Sequence, residues 1–181
     1  SRRCEVRRSL VAGNWKLHCG PTEARRLALI FAVVYFAQGM WYLPNLSLTF
    51  LLKETWHFSA GQTADFFAIT LIPWLIKPVY GLLSDFVPLF GWRRRSYFLL
   101  TTGLAAAMGF ILSNLHIYTY GQVALYFTLM GLGLAFSDVL TDAMMVENAQ
   151  RLGPTGPFQA AQWAAISAAS VVVGIAGGRL A

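Results

Sequence analysis

Charge is the scarcest resource in this sequence. Of its 181 residues only 12% are Asp, Glu, Lys or Arg, about half the share of roughly 25% found in globular proteins. So little charge cannot cover a water-soluble globule. Cysteine is nearly absent too. Cys4 and Cys19 both precede the first long apolar run, and no Cys-x-x-Cys pair or Cys/His cluster occurs. Both are read as free thiols, and neither a disulfide framework nor a metal site is expected. The chain does not open with Met, which points to a piece of a longer protein, and its start has no short apolar segment with a cleavage site, so no secretory signal is expected in it. It has no Gly-x-x-x-x-Gly-Lys-Ser/Thr loop to hold a nucleotide, which argues against an ATP-driven pump. No filter motif argues for a pore, and no cofactor is expected.

Apolar residues, by contrast, make up 56% of the chain. They gather in five stretches, at about 27–52, 63–84, 97–115, 122–146 and 158–178. A helix crosses a bilayer in about 20 residues, so each stretch is long enough to span it. Five buried helices of a soluble bundle would be the other reading, but the near absence of charge inside them argues against it. The expected fold is an all-α integral membrane protein with about five transmembrane helices. Residues 1–26 form a basic lead-in, expected not to be a folded domain, and residues 27–181 the helices.

Orientation follows from Lys and Arg. The lead-in carries Arg2, Arg3, Arg7, Arg8, Lys16, Arg25 and Arg26 against Glu5 and Glu23. The second connector carries Arg93, Arg94 and Arg95; the first has only Lys53, and the third has neither Lys nor Arg. Basic residues stay on the cytoplasmic side, so the N-terminus is expected inside. The same rule accounts for the net charge of +6 without a nucleic-acid partner. The expected location is a bacterial inner membrane or a plasma membrane, crossed several times and in contact with lipid.

Polar residues inside the spans are the candidates for function. In the first, Gln38, Tyr42, Asn45 and Thr49 are spaced to share a helical face, with Pro44 among them to loosen the backbone. They line either a solute path or an interhelical contact. In the second, Thr70, Pro73, Lys77, Gly81 and Ser84 share a face. In the fourth, Gly131, Asp138 and Asp142 do, with Glu147 near the inner end. At about 1.5 Å per residue, Lys77 and Asp138 lie at similar depth. Lys77 either snorkels to the interface or pairs with Asp138 or Asp142. Two carboxylates one turn apart make either a proton carrier or part of a static packing pair. In the fifth span, Gly174 and Gly178 have the spacing of a close helix contact, and Gln159, Gln162 and Trp163 are further candidates for the path.

The second connector, KPVYGLLSDFVPLFGWRRRSY at 77–97, resembles the signature loop of the major facilitator superfamily. Its longer spacing, with Pro88 inserted, resembles the folate–biopterin transporter family in particular. VYFAQG at 34–39, IPWLIKP at 72–78, SDVLTDAMMVENAQR at 137–151 and FQAAQW at 158–163 resemble that family as well. The resemblance covers about residues 29–178. It implies a twelve-helix carrier with alternating access and with folates or pterins as solutes; coupled protons are an expectation from the Asp138 and Asp142 carboxylates, not from the resemblance. It also implies a gating loop made of Gly81, Asp85, Gly91, Arg93, Arg94, Arg95 and Glu147. On this reading the chain is part of the N-terminal half of the carrier and needs the remaining C-terminal helices. Alone it is expected not to transport, because the central cavity of such carriers lies between repeats.

Residues 7–28, RRSLVAGNWKLHCGPTEARRLA, separately resemble the first strand, loop and helix start of triosephosphate isomerase. That family's loop Asn and Lys, which contact substrate, would be Asn14 and Lys16. One βα unit of the eight needed cannot close a barrel, so no enzyme activity is expected. The alternative to a transporter is a membrane bundle that transports nothing, or a fragment of that isomerase.

Overall fold

The computed structural model describes residues 5–8, 15–18, 21–87, 89, 94–152 and 156–180. Cys4, Cys19, Asn14, Gly91 and Arg93 lie outside the described residues. Near the N-terminus, β1 (Glu5–Arg8) and β2 (Trp15–His18) pair antiparallel, with Glu5 opposite His18 and Arg8 opposite Trp15. Lys16 therefore lies within a strand, not in a loop after a first strand as the isomerase resemblance implied. Every element after the hairpin is helical. These are α1 (Pro21–Gly39), α2 (Tyr42–Phe50) with one π-helical turn (Leu51–Thr55), α3 (Ala60–Thr70), α4 (Ile72–Leu75), α5 (Lys77–Phe86), α6 (Arg95–Ser113), α7 (Tyr120–Leu152) and α8 (Gly156–Leu180).

Among the described residues four stretches are apolar and long enough to cross a membrane: Arg25–Thr55, Arg95–Ser113, Tyr120–Asn148 and Gly156–Gly177. They correspond to the first, third, fourth and fifth expected spans. The second was expected as one helix over 63–84; instead the chain forms α3, α4 and α5 in succession. Proline is the cause. Pro73 and Pro78 have no N–H for the carbonyls one turn back, and their rings crowd them. The joints stay close to helical geometry, with φ −82° and ψ −16° at Leu71 and φ −93° and ψ 15° at Ile76. One buried face therefore persists through both breaks, carried by Thr63, Phe66, Thr70, Pro73, Tyr80 and Ser84 at helical steps.

The first span also departs from a straight helix. Pro44 cannot donate to the Met40 carbonyl, which accepts from Leu43 N–H at 3.0 Å instead. The helix tightens there, and α1 ends one residue before Met40. The continuous stripe expected from Gln38 to Thr49 is thus divided, Gln38 on α1 and the others on α2.

Two compact units result, one from residues 1–47 and 143–181, the other from 48–142. In the first, α1 and α8 run parallel. Phe31 meets Phe158 edge-on at 5.8 Å, Gly39 lies against Ala169 further along, and Gly177 against Leu46 beyond that. A Cβ on Gly39 would stand 2.6 Å from that of Ala169, so only glycine lets the two backbones approach. Gly174 has nothing within 4 Å of its Cβ position. The close contact expected at Gly174 is therefore made by Gly39 and Gly177. Phe31, Tyr35, Met145 and Phe158 form this unit's core.

In the second unit, α6 and α7 run antiparallel. Thr101 meets Ser137, hydroxyl to hydroxyl at 2.9 Å, and Gly109 lies against Met130. Between these contacts a Cβ on Gly133 would stand 2.5 Å from the Thr101 carbonyl oxygen. The chain from α3 to α5 runs parallel to α7, since Phe66 meets Tyr120 and the later Tyr80 meets Phe136. Within each unit these directions are those of helices that cross a membrane alternately.

Replacing Gly133 by Ala is expected to destabilise the chain by about 1–3 kcal/mol, the usual effect of overpacking. Gly174→Ala is expected to be neutral or to stabilise by up to about 1 kcal/mol through helix propensity. Thermal unfolding in detergent micelles compares the two.

Candidate functional site

Two opposite charges meet within the apolar part of the second unit. Lys77 is the first residue of α5, directly after the break at Ile76. Asp138 lies on α7 within its apolar stretch. Lys77 Nζ donates a hydrogen bond to Asp138 Oδ2 at 2.6 Å, and the same nitrogen stands 4.6 Å from the centre of the Trp74 ring. The Lys77 side chain is 35% exposed and that of Asp138 12%. An isolated charge in this setting would lose its hydration with nothing in return. The carboxylate and the ring face replace that hydration on one side of the ammonium. Lys77 thus turns inward to a partner instead of snorkelling. A lysine has three donors, and the pair engages one of them, so the ammonium keeps donors for its open side.

The partner is Asp138 and not Asp142. Ser137, Asp138 and Thr141 occupy the buried face of α7, with Thr141 Oγ1 donating to the Ser137 carbonyl at 2.7 Å. Asp142 is exposed beside that face. The expected shared environment of the two carboxylates is therefore corrected: one is enclosed by neighbouring helices, the other is not.

Toward the end of α5, aromatic rings join three helices. Phe136 on α7 lies between Tyr80 of α5, 4.7 Å away, and Tyr97 of α6, 5.4 Å away, with all three rings nearly parallel. Such offset stacking adds to the gain from burial alone. The Tyr97 hydroxyl donates to the Val87 carbonyl at 2.9 Å, and Arg94 Nη2 donates to Asp85 Oδ1 at 2.7 Å. Both bonds close the connector between α5 and α6. Of the expected gating residues, Asp85 and Arg94 are thus brought together. Gly81 stands in ordinary contact range of Val139, and Arg95 is exposed at the start of α6. Glu147 belongs to the first unit and is exposed on α7.

The first unit holds the remaining candidates. Gln38 is half-buried, and its Nε2 is enclosed without a hydrogen-bond partner among the described residues. Tyr42 is exposed. Asn45 turns back along its own helix, Nδ2 donating to the Trp41 carbonyl at 2.9 Å. Gln159 and Trp163 are exposed on α8, and Gln162 is half-buried there.

Sequence reasoning passed over Trp74, the Tyr80–Phe136–Tyr97 stack and the Thr101–Ser137 bond. Tyr80 offered a signal, three residues after Lys77 on the same face. Tyr97 bonds a backbone carbonyl, which no side-chain pattern reveals.

Lys77→Met leaves Asp138 without its counter-charge. Breaking a buried pair costs about 3–5 kcal/mol, and the lower end is expected because Lys77 is 35% exposed. Lys77→Met combined with Asp138→Leu is expected to recover most of that loss. A double-mutant cycle on detergent-phase unfolding measures the coupling.

Comparison with known proteins places these features in a family. The sequence pattern of the BT1 family matches residues 38–181, which include every residue of the charge pair, the ring stack and the connector. A folate-biopterin transporter from Synechocystis sp. is 36% identical over 149 residues, 81% of this chain and 30% of the relative. A probable folate-biopterin transporter from Arabidopsis thaliana is 27% identical over 159 residues, 82% of this chain and 31% of the relative. Folate transporter 1 of Plasmodium falciparum is 31% identical over 121 residues, 65% of this chain and 23% of the relative. The chain thus spans about 30% of the length of the first of these relatives, and no solved structure matches it. Four helices able to cross a membrane and a family match over most of the sequence lead to one conclusion: the chain is a multi-pass membrane protein and belongs to the BT1 family.

Proposed function

We propose that this chain is part of a secondary transporter that moves a small organic solute, folate or pterin, by alternating access. The observation that carries this reading is the Lys77–Asp138 pair, held at 2.6 Å inside apolar helices of a BT1-family chain. Ionisable groups are rare in membrane helices and mark solute or ion pathways. The names of the relatives supply the solute class.

In this reading the solute path is formed by Gln38, Tyr42, Asn45, Lys77, Asp138, Asp142, Gln159 and Trp163. The Gln38 amide, whose Nε2 has no partner among the described residues, supports that role, since a buried donor left unmet is costly and a solute oxygen would meet it. The connector with Gly81, Asp85, Gly91, Arg93, Arg94 and Arg95 acts as the gate on the cytoplasmic side, together with Glu147. The 2.7 Å Asp85–Arg94 contact supports it, because that ion pair is the kind of contact that exchanges when helices rock. Arg25, Arg26, Arg94 and Arg95 are described basic residues at the ends of spans one and three expected to lie inside. They support a cytoplasmic N-terminus, in a bacterial inner membrane or a plasma membrane.

Proteoliposomes holding the complete reading frame that encodes this chain are expected to take up labelled folate or biopterin above empty vesicles. Asp85→Asn is expected to slow uptake at least tenfold with little change in KM, because the residue acts on the gate and not on the solute. Residues 1–181 alone are expected to give no uptake. Vesicles with the complete protein that take up neither compound overturn the reading.

A further inference from the structure

The Lys77–Asp138 pair has an unusual balance of openness, and it lies at a backbone joint. Asp138 is the enclosed partner, at 12% exposure, and Lys77 the open one, at 35%. Within this chain the ammonium is therefore the more accessible of the two charges. Lys77 follows directly on Ile76, where φ −93° and ψ 15° interrupt the helix between Pro73 and Pro78. Trp74 stands 4.6 Å from Nζ, so the cation keeps one face covered if Asp138 lets go.

Resting on the transport reading above, we propose that Lys77–Asp138 is an exchange site. A carboxylate of the solute takes the place of Asp138 on the Lys77 ammonium, and Asp138 takes up one proton as it is displaced. The exchange forms and breaks few bonds. One N–H···O contact to Asp138 is lost, one to the solute carboxylate is gained, and one O–H bond forms on Asp138 with a proton from the aqueous side. Lys77 stays protonated throughout.

Charge balance in a low-dielectric interior dictates the proton. The resting pair has no net charge. A solute carboxylate added without a proton leaves one uncompensated negative charge among apolar helices, the situation that buried ion pairs exist to prevent. With the proton, the ammonium, the solute carboxylate and the neutral Asp138 again sum to zero. Each carboxylate bound here brings one proton. A solute without a carboxylate has no claim on Lys77 and leaves the pair intact.

Other ionisable groups on the packed elements do not replace Asp138 in this role. On α5 and α6 the described ones are Tyr80 and Tyr97, both held in the ring stack, with Asp85, Arg94 and Arg95 at the connector. Asp65 on α3 lies off the buried face, and Asp142 on α7 is exposed beside it.

The test uses proteoliposomes with the complete reading frame, loaded with a pH-sensitive dye and no imposed gradient. Adding folate, which bears carboxylates, is expected to acidify the lumen as protons enter with it. Adding biopterin, which bears none, is expected to enter without a pH change. Asp138→Asn is expected to lower the number of protons entering per folate at least tenfold. Folate entry in the unaltered protein without a luminal pH change overturns the exchange site and leaves the transport reading standing. Entry of neither compound into vesicles with the unaltered protein overturns both. The dye measurement needs no variant, so a misfolded substitution cannot obscure the result.

Discussion

In the hydrocarbon of a bilayer no water is at hand to complete a hydrogen bond, and much of this chain's architecture answers that constraint. Helices satisfy their own backbones, so helices are what the apolar stretches form. Where proline removes a donor, the chain adjusts locally: the Met40 carbonyl takes its bond from Leu43 instead of Pro44. Lipid tails are as apolar as leucine, so burial alone gives helices little reason to associate. Close backbone approach and paired polar groups do that work. Gly39 and Gly177 let α8 reach the first span, while Gly133 and the Thr101–Ser137 bond draw α6 onto α7.

The same constraint explains why the Lys77–Asp138 pair is informative. A surface ion pair contributes little and could sit anywhere. Within a membrane helix each member of such a pair is a liability without the other, and the chain gives Lys77 an indole ring as well as Asp138. The exposed Asp85–Arg94 pair belongs to the other regime. Asp85 is 55% exposed, so water screens its contact with Arg94 and the pair contributes little to stability.

Much of the helical layout was legible in the sequence because span length is a property of composition. The charge pair was legible as an alternative, since Lys77 and Asp138 fall at similar depth on apolar segments. Choosing between Asp138 and Asp142 required the rotation of α7 about its axis, which depends on what packs around it. The spacing of Gly174 and Gly178 marked α8 as a helix that permits close contact, yet Gly174 itself meets nothing, and Gly177 is the α8 glycine that lies against the first span. Pro73 and Pro78 were visible as residues, yet their effect was not simply to end a helix. They divided it into three pieces that keep one buried face. The bond from Tyr97 to the Val87 carbonyl had no signature at all, because any residue offers a carbonyl.

The Tyr80–Phe136–Tyr97 stack has a consequence for how this sequence can drift over evolutionary time. Phe136 presents a flat face to a ring on each side, at 4.7 and 5.4 Å. An aliphatic side chain at any of the three positions leaves a slot whose shape it cannot fill, and a bulkier one pushes two helices apart. Positions 80, 97 and 136 are therefore not three independent choices but one, inherited together or replaced together. Homologous chains that have lost one of these rings should have repacked the other two as well.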